Sequence, residues 1–167
     1  MTSGEHVVGN LAKQASQALT SRTARRNQIE QVAVACREHP GAIPDDVAFE
    51  EMTFHHTSAG VYLREFRMPA GSIIVGRVHK RPCLNVLMKG KLEAAMSEHE
   101  ENVVMEAPHI FESGPGEQKA LAVLEDAILV TCHATNETDP DALVKLLSVA
   151  DRQEYIEYRQ EVLEDKS

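Results

Sequence analysis

Between residues 61 and 133 the chain breaks into short runs rich in β-branched and apolar residues, separated by glycine, proline and charged turns. No stretch of helix-crossover length interrupts the series. This pattern constrains the fold more than any other feature, because antiparallel neighbours need only a turn between them, whereas parallel strands need a long crossover. Strands are expected at 61–68, 72–79, 83–88, 91–96, 102–106, 110–111, 119–124 and 127–133. Short strands at this spacing make an all-β barrel or jelly roll. Pro69-Ala70-Gly71-Ser72 is one of the tight connections, with proline fixing φ and glycine supplying the permissive position.

Helices are expected on both flanks. Residues 10–37 are rich in Ala, Gln and Leu and free of proline and glycine, which predicts a helix broken near 20–23. Ile29, Val32, Ala33 and Cys36 form one narrow apolar stripe along it, and His39-Pro40-Gly41 ends it. After His133, Thr138-Asp139-Pro140-Asp141 reads as an N-cap and first turn, followed by Leu143, Leu146 and Leu147. A second helix from about 148 or 151 to 163 presents Tyr155, Ile156, Arg159 and Val162. The expected organisation is a helical arm over 1–41, a barrel over 42–137 and C-terminal helices over 138–167 packed outside it. The stripe on the N-terminal helix must bury against either the barrel wall or another subunit, and self-association is expected.

Length and composition set the remaining bounds. A chain of 167 residues, 43% of them hydrophobic, is enough for one compact domain. Its longest apolar runs fall well short of the roughly 18 residues a membrane span requires, so no membrane partner and a cytoplasmic location are expected. Cys36, Cys83 and Cys132 are odd in number and widely spaced, a poor disulfide framework. A formal charge of -9 disfavours nucleic acid as a partner. Arg22, Arg25 and Arg26 form a local basic exception, read as a solvated helix face beside Glu30, and Glu98 to Glu101 read as a solvent-facing hairpin tip.

Alternation in a strand puts Arg77 and His79 on one face, and Cys83, Asn85 and Leu87 on one face of the next. Facing inward, they would make a polar cluster in an apolar cup, the usual design of a small-ligand pocket. Two chemistries suit the set. In the first, Arg77 and Lys119 bind a small anion while His79 and Asn85 orient it. In the second, His79 and Cys83 hold a single divalent transition metal, with His133 or the pair His55 and His56 completing the site; otherwise no cofactor is expected. Nucleophilic catalysis has no support: Cys132 and His133 point to opposite faces of one strand, and no GxSxG elbow or HExxH helix is present.

The segment 69–90 resembles the first motif of the cupin superfamily, in which a glycine precedes a strand carrying His-x-His, then a glutamate, then a glycine turn. Counting back from Gly90, the two histidine positions fall on Arg77 and His79 and the glutamate position on Cys83. The second motif, Pro-x-Gly-x-x-His, is similar to Gly114-Pro115-Gly116-Glu117-Gln118-Lys119, with Lys119 at the histidine position. From about Gly60 to Asp139 the chain is similar to cupin-like proteins of phage and prophage genomes, which carry histidine where this chain has Cys83 and Leu124. The resemblance implies a cupin-type double-stranded β-helix with a degraded metal set. Its implied role is small-ligand binding or a structural and interaction function, as a phage accessory or virion-associated protein in the host cytoplasm or the virion. The alternative it implies is a metal-dependent dioxygenase or isomerase using His79.

Overall fold

Two long strands organise the protein, and each joins what the sequence pattern divides in two. The structure is a computed structural model and describes residues 3–97 and 99–165, so Glu98 of the hairpin tip lies outside the described residues. Strand β5 spans Cys83–Met96 and β8 spans Lys119–Ala134. Around them lie β1 (Thr53–Ser58), β2 (Val61–Met68), β3 (Ile73–Val75), β6 (Val103–Glu106) and β7 (His109–Ser113). All pair antiparallel in the order β1-β2-β8-β5-β6, with β3 also on β8 and β7 also on β5.

The first half of β5 pairs with β7 and with the second half of β8; its second half pairs with β6 and the first half of β8. Between these halves the register slips at Leu87/Lys89, Lys89/Lys91 and Lys91/Leu92. Such bulges bend a strand and increase its twist, which lets one sheet curl over its own core as a jelly-roll barrel. Gly90 sits at the bend with φ +84, and a Cβ there would lie 2.4 Å from the Asp126 carbonyl oxygen. Only glycine permits that approach. Inside the curl, Met68, Leu87, Leu92, Ala94, Met105, Leu121 and Val123 pack together, each nearly or fully buried.

The expected strand 72–79 divides at Gly76-Arg77. Its first part, β3, pairs with β8, whereas its second part, β4 (Val78–His79), pairs with β9 (Ser148–Val149) from the C-terminal region. This change of partner carries the chain from the barrel wall to its mouth.

The N-terminal helix α1 spans Ser3–Glu38 without the expected break at 20–23, since neither glycine nor proline interrupts the backbone ladder there. Ile29 and Ala33 are buried, while Val32 is exposed. Arg25 is not a solvated partner of Glu30: its guanidinium donates to Asn102 Oδ1 across the hairpin tip, and Ser21 Oγ donates to Glu100 at 3.2 Å. The basic segment therefore fastens the helix to the β5–β6 hairpin. A short helix, α2 (Asp45–Met52), and strand β1 occupy a segment for which no element is read from the sequence.

Asp139 caps α3 (Pro140–Leu147) by accepting from Ala142 N–H, and Asp151 caps α4 (Arg152–Glu164) by accepting from Glu154 N–H. The start of α3 follows its sequence signature, and α4 begins at the later of the two expected positions. Both flank the barrel as expected, α3 at its open end. Leu143 and Leu147 of α3 pack on Tyr62, and α3 roofs the open end of the barrel.

Candidate functional site

The alternation of β2 supplies the floor of this mouth. Tyr62, Arg64, Phe66 and Met68 share one face, and Arg64 is the lone charge on it. Registers carry the face across the sheet: Tyr62 opposes His133, Arg64 opposes Thr131, and Phe66 opposes Leu129 on β8. On β5, Asn85 opposes Thr131 and Leu87 opposes Leu129. A layer of Arg64, Thr131 and Asn85 therefore lies directly on an apolar layer of Phe66, Leu129 and Leu87.

Above the polar layer is a cavity of about 20 Å³, room for a water or two. The barrel wall contributes Tyr62, Arg64, Arg77, His79 and His133; the roof contributes Leu143, Val144 and Leu147 of α3 with Ser148. Arg77 Nε donates to Ser148 Oγ at 3.0 Å, and Ser148 Oγ donates to the Val144 carbonyl at 3.1 Å. Among the described residues, no hydrogen bond or ion pair reaches the Arg64 guanidinium.

The rings beside it form a column. Tyr62 stacks between His55 and His133 at centroid distances of 5.8 and 6.0 Å, and His133 stacks on His79 at 6.3 Å. His55 Nδ1 is 2.7 Å from the Tyr62 hydroxyl. Burial, then the charges of Lys119, Arg64 and the neighbouring His133, push His79 down to about 2. Burial and then Arg64 push His133 down to about 4. Both imidazoles are neutral at neutral pH. Burial raises the Cys83 thiol against the pull of Lys119 and Arg64, so it stays protonated and its S–H donates to His79 Nδ1, 3.5 Å away. His133 Nδ1 is buried without a hydrogen-bond partner.

The sequence-predicted residues separate into two levels. Arg77 and His79 line the cavity. Asn85 lies beneath it, donating to Ser113 Oγ at 2.7 Å and to the Phe111 carbonyl at 3.3 Å, with Oδ1 unpartnered. Lys119 is also below, 3.5 Å from Glu117 Oε1, and burial lowers its affinity for the proton although Glu117 opposes that. Neither Asn85 nor Lys119 is part of the cavity lining.

A divalent metal does not fit these residues. Among the described residues, no three His, Cys, Asp or Glu side chains gather closely enough to hold one. Of the expected set, His79 and Cys83 touch, but His133 turns its ring against His79 in the stack. His55 is bonded to Tyr62 and His56 to Glu65, so that pair does not complete a site. The surrounding charges are cationic, Arg64, Arg77 and Lys119 against the one carboxylate of Glu117, a field that repels a metal ion and attracts an anion.

Sequence reasoning missed Arg64 and Tyr62. The signal was available in 61–68, where the even positions Tyr62, Phe66 and Met68 mark the inward face and place Arg64 among them.

No protein-family model matches the chain, and no curated protein matches it. Solved structures similar to it include an RmlC-like cupin family protein with a double-stranded β-helix fold from Methanocaldococcus jannaschii, 9% identical over 55% of this chain and 85% of that one, with a TM-score of 0.42. A cupin-2 domain containing protein from Shewanella frigidimarina is 10% identical over 56% of this chain and 94% of that one, with a TM-score of 0.42. A protein with a double-stranded β-helix domain from Klebsiella pneumoniae is 15% identical over 53% of this chain and 82% of that one, with a TM-score of 0.43. Among the described residues, no helix is long and apolar enough to cross a membrane.

Proposed function

We propose that the protein binds a small anion in the mouth of the barrel, beneath α3. The observation that carries this reading is Arg64, a guanidinium on the inward face of β2 that borders the cavity beside Arg77 with no counter-charge of its own. An unpaired charge withdrawn from water is costly, and a bound anion would offset that cost. Paired guanidinia also suit the planar, two-oxygen geometry of a carboxylate. The neutral imidazoles of His79 and His133 add hydrogen-bonding groups without competing charge.

This favours the cup over the metal-dependent enzyme implied by resemblance, because that chemistry would need a ligand set the cationic lumen does not supply. The phage accessory role implied by the same resemblance is served by such a binding module but adds no residue to the site. A homo-oligomer would be built on the sheet's exposed Leu84, Met88 and Ile110, since Ile29 and Ala33 of the helical stripe are already buried within the chain.

Isothermal titration with acetate, phosphate and sulfate at constant ionic strength tests the reading. Saturable binding of at least one anion by the wild type, weakened at least tenfold in Arg64→Gln, is expected. Failure of all three to bind, or binding indifferent to Arg64→Gln, overturns it.

A further inference from the structure

The cavity beneath α3 is lined by charge of one sign and is no larger than a water molecule or two. We infer that its anion is a halide, with chloride as the representative ion, seated between the guanidinia of Arg64 and Arg77 and the aliphatic roof. This rests on the anion-binding reading above and deepens it by naming which small anion the site prefers.

Three observations carry it. The first is size. A space of about 20 Å³ accepts water-sized bodies, and a chloride ion is only slightly larger than a water molecule. Acetate, phosphate and sulfate each bring several heavy atoms and enter only by pressing the roof outward. That roof is fastened: Lys80 N–H donates to the Leu147 carbonyl at 2.8 Å, Lys80 Nζ donates to the Lys145 carbonyl at 2.7 Å, and β4 pairs with β9 just beyond. Forcing extra atoms into so close a fit costs about tenfold in affinity.

The second is the inventory of donors. No Asp or Glu lines the cavity, and guanidinium nitrogens donate without accepting. Among the described residues, Arg77 engages only its Nε, on Ser148 Oγ at 3.0 Å, and Arg64 engages no nitrogen. The nearby Glu117 carboxylate is held by Lys119 below, at 3.5 Å. His133, 5% exposed and part of the lining, has an unpartnered Nδ1, which is a further donor when the neutral ring carries its proton there. A water would accept from these groups yet leave their charge uncompensated, whereas a monatomic anion accepts from them and offsets it.

The third is the one-sided placement of those donors. Leu143, Val144 and Leu147 offer none, and the Ser148 hydroxyl donates to the Val144 carbonyl at 3.1 Å. An oxyanion leaves the oxygens that face hydrocarbon without partners. A spherical ion has no fixed directions to satisfy, so donors on one side suffice.

Titration of the full chain with chloride, acetate and sulfate tests this, with ionic strength held constant by gluconate, whose bulk keeps it out of the cavity. Chloride is expected to bind at least tenfold tighter than acetate, and sulfate more weakly still. Arg64→Gln is expected to weaken chloride at least tenfold, whereas Arg67→Gln, which removes the same charge from the exposed outer face of β2, leaves it unchanged. Leu147→Ala, which opens the roof, is expected to narrow the preference for chloride over acetate to about threefold or less. Acetate or sulfate binding as tightly as chloride in the wild type, or a preference unmoved by Leu147→Ala, would overturn the halide inference and leave the anion site standing. No binding of any of the three, or chloride binding indifferent to Arg64→Gln, would overturn both.

Discussion

Asn85 and Leu87 lie two positions apart on the same face of the same strand, yet they belong to ends of the barrel built to opposite rules. Towards the closed end, Met68, Leu87, Leu92, Met105 and Val123 fill the interior with hydrocarbon. Towards the mouth, Arg64, Thr131, Asn85 and His133 bring polar groups inside, and Asn85 Oδ1, Thr131 Oγ1 and His133 Nδ1 are buried without hydrogen-bond partners. Buried polar atoms left unpaired each cost on the order of 1–3 kcal/mol, while close-packed hydrocarbon stabilises. One end therefore holds the barrel together and the other is kept at some expense of stability, as a ligand site is.

The largest effect expected from this contrast lies at the closed end. Leu87 is fully buried within the apolar cluster, so Leu87→Ala removes its transfer free energy and leaves a cavity. A loss of about 3 kcal/mol is expected in urea denaturation. A loss under about 1 kcal/mol would mean that the closed end is not the source of cohesion.

A smaller effect per side chain, with a definite sign, comes from the imidazoles at the mouth. His79 and His133 titrate at about 2 and about 4 in the folded protein, below the ordinary 6.5. The unfolded chain therefore takes up their protons first as pH falls. The stability that comes from keeping them neutral is present above about 6.5 and is lost progressively below it, down towards about 4 for His133 and about 2 for His79. Between pH 7 and pH 5 a loss of roughly 2 kcal/mol from each ring is expected, read as a lower urea midpoint at pH 5. A midpoint unchanged over that interval would place these rings in water.

Much of the barrel was legible because its signals are local. β-Branched and aromatic content exposed β2, short apolar runs exposed the two halves of β5, and Thr138-Asp139-Pro140-Asp141 marked the start of α3. What joins distant segments was not legible. Nothing in Lys89-Gly90-Lys91 says whether the chain turns back or bends onward; the close approach of Asp126, far along the sequence, makes it a bend. Likewise the division of 72–79 depends on β9, whose two residues carry no strand signal of their own. At the site, Arg77 and His79 were readable as inward groups from the motif they resemble, whereas Lys119 and Asn85 are inward but beneath the cavity. Depth within a lumen is set by strand stagger, which residue type does not encode.

The central claim is that the charge at the mouth serves a ligand and not the fold. Replacing Arg64 by methionine, which fills a similar volume without charge, tests this most directly by comparing urea stability with and without a bound anion. Arg64→Met is expected to leave the anion-free protein as stable as the wild type or about 1 kcal/mol more stable, and to abolish stabilisation by the anion. A loss of more than about 2 kcal/mol in the anion-free protein, with stabilisation by the anion intact, would contradict the account.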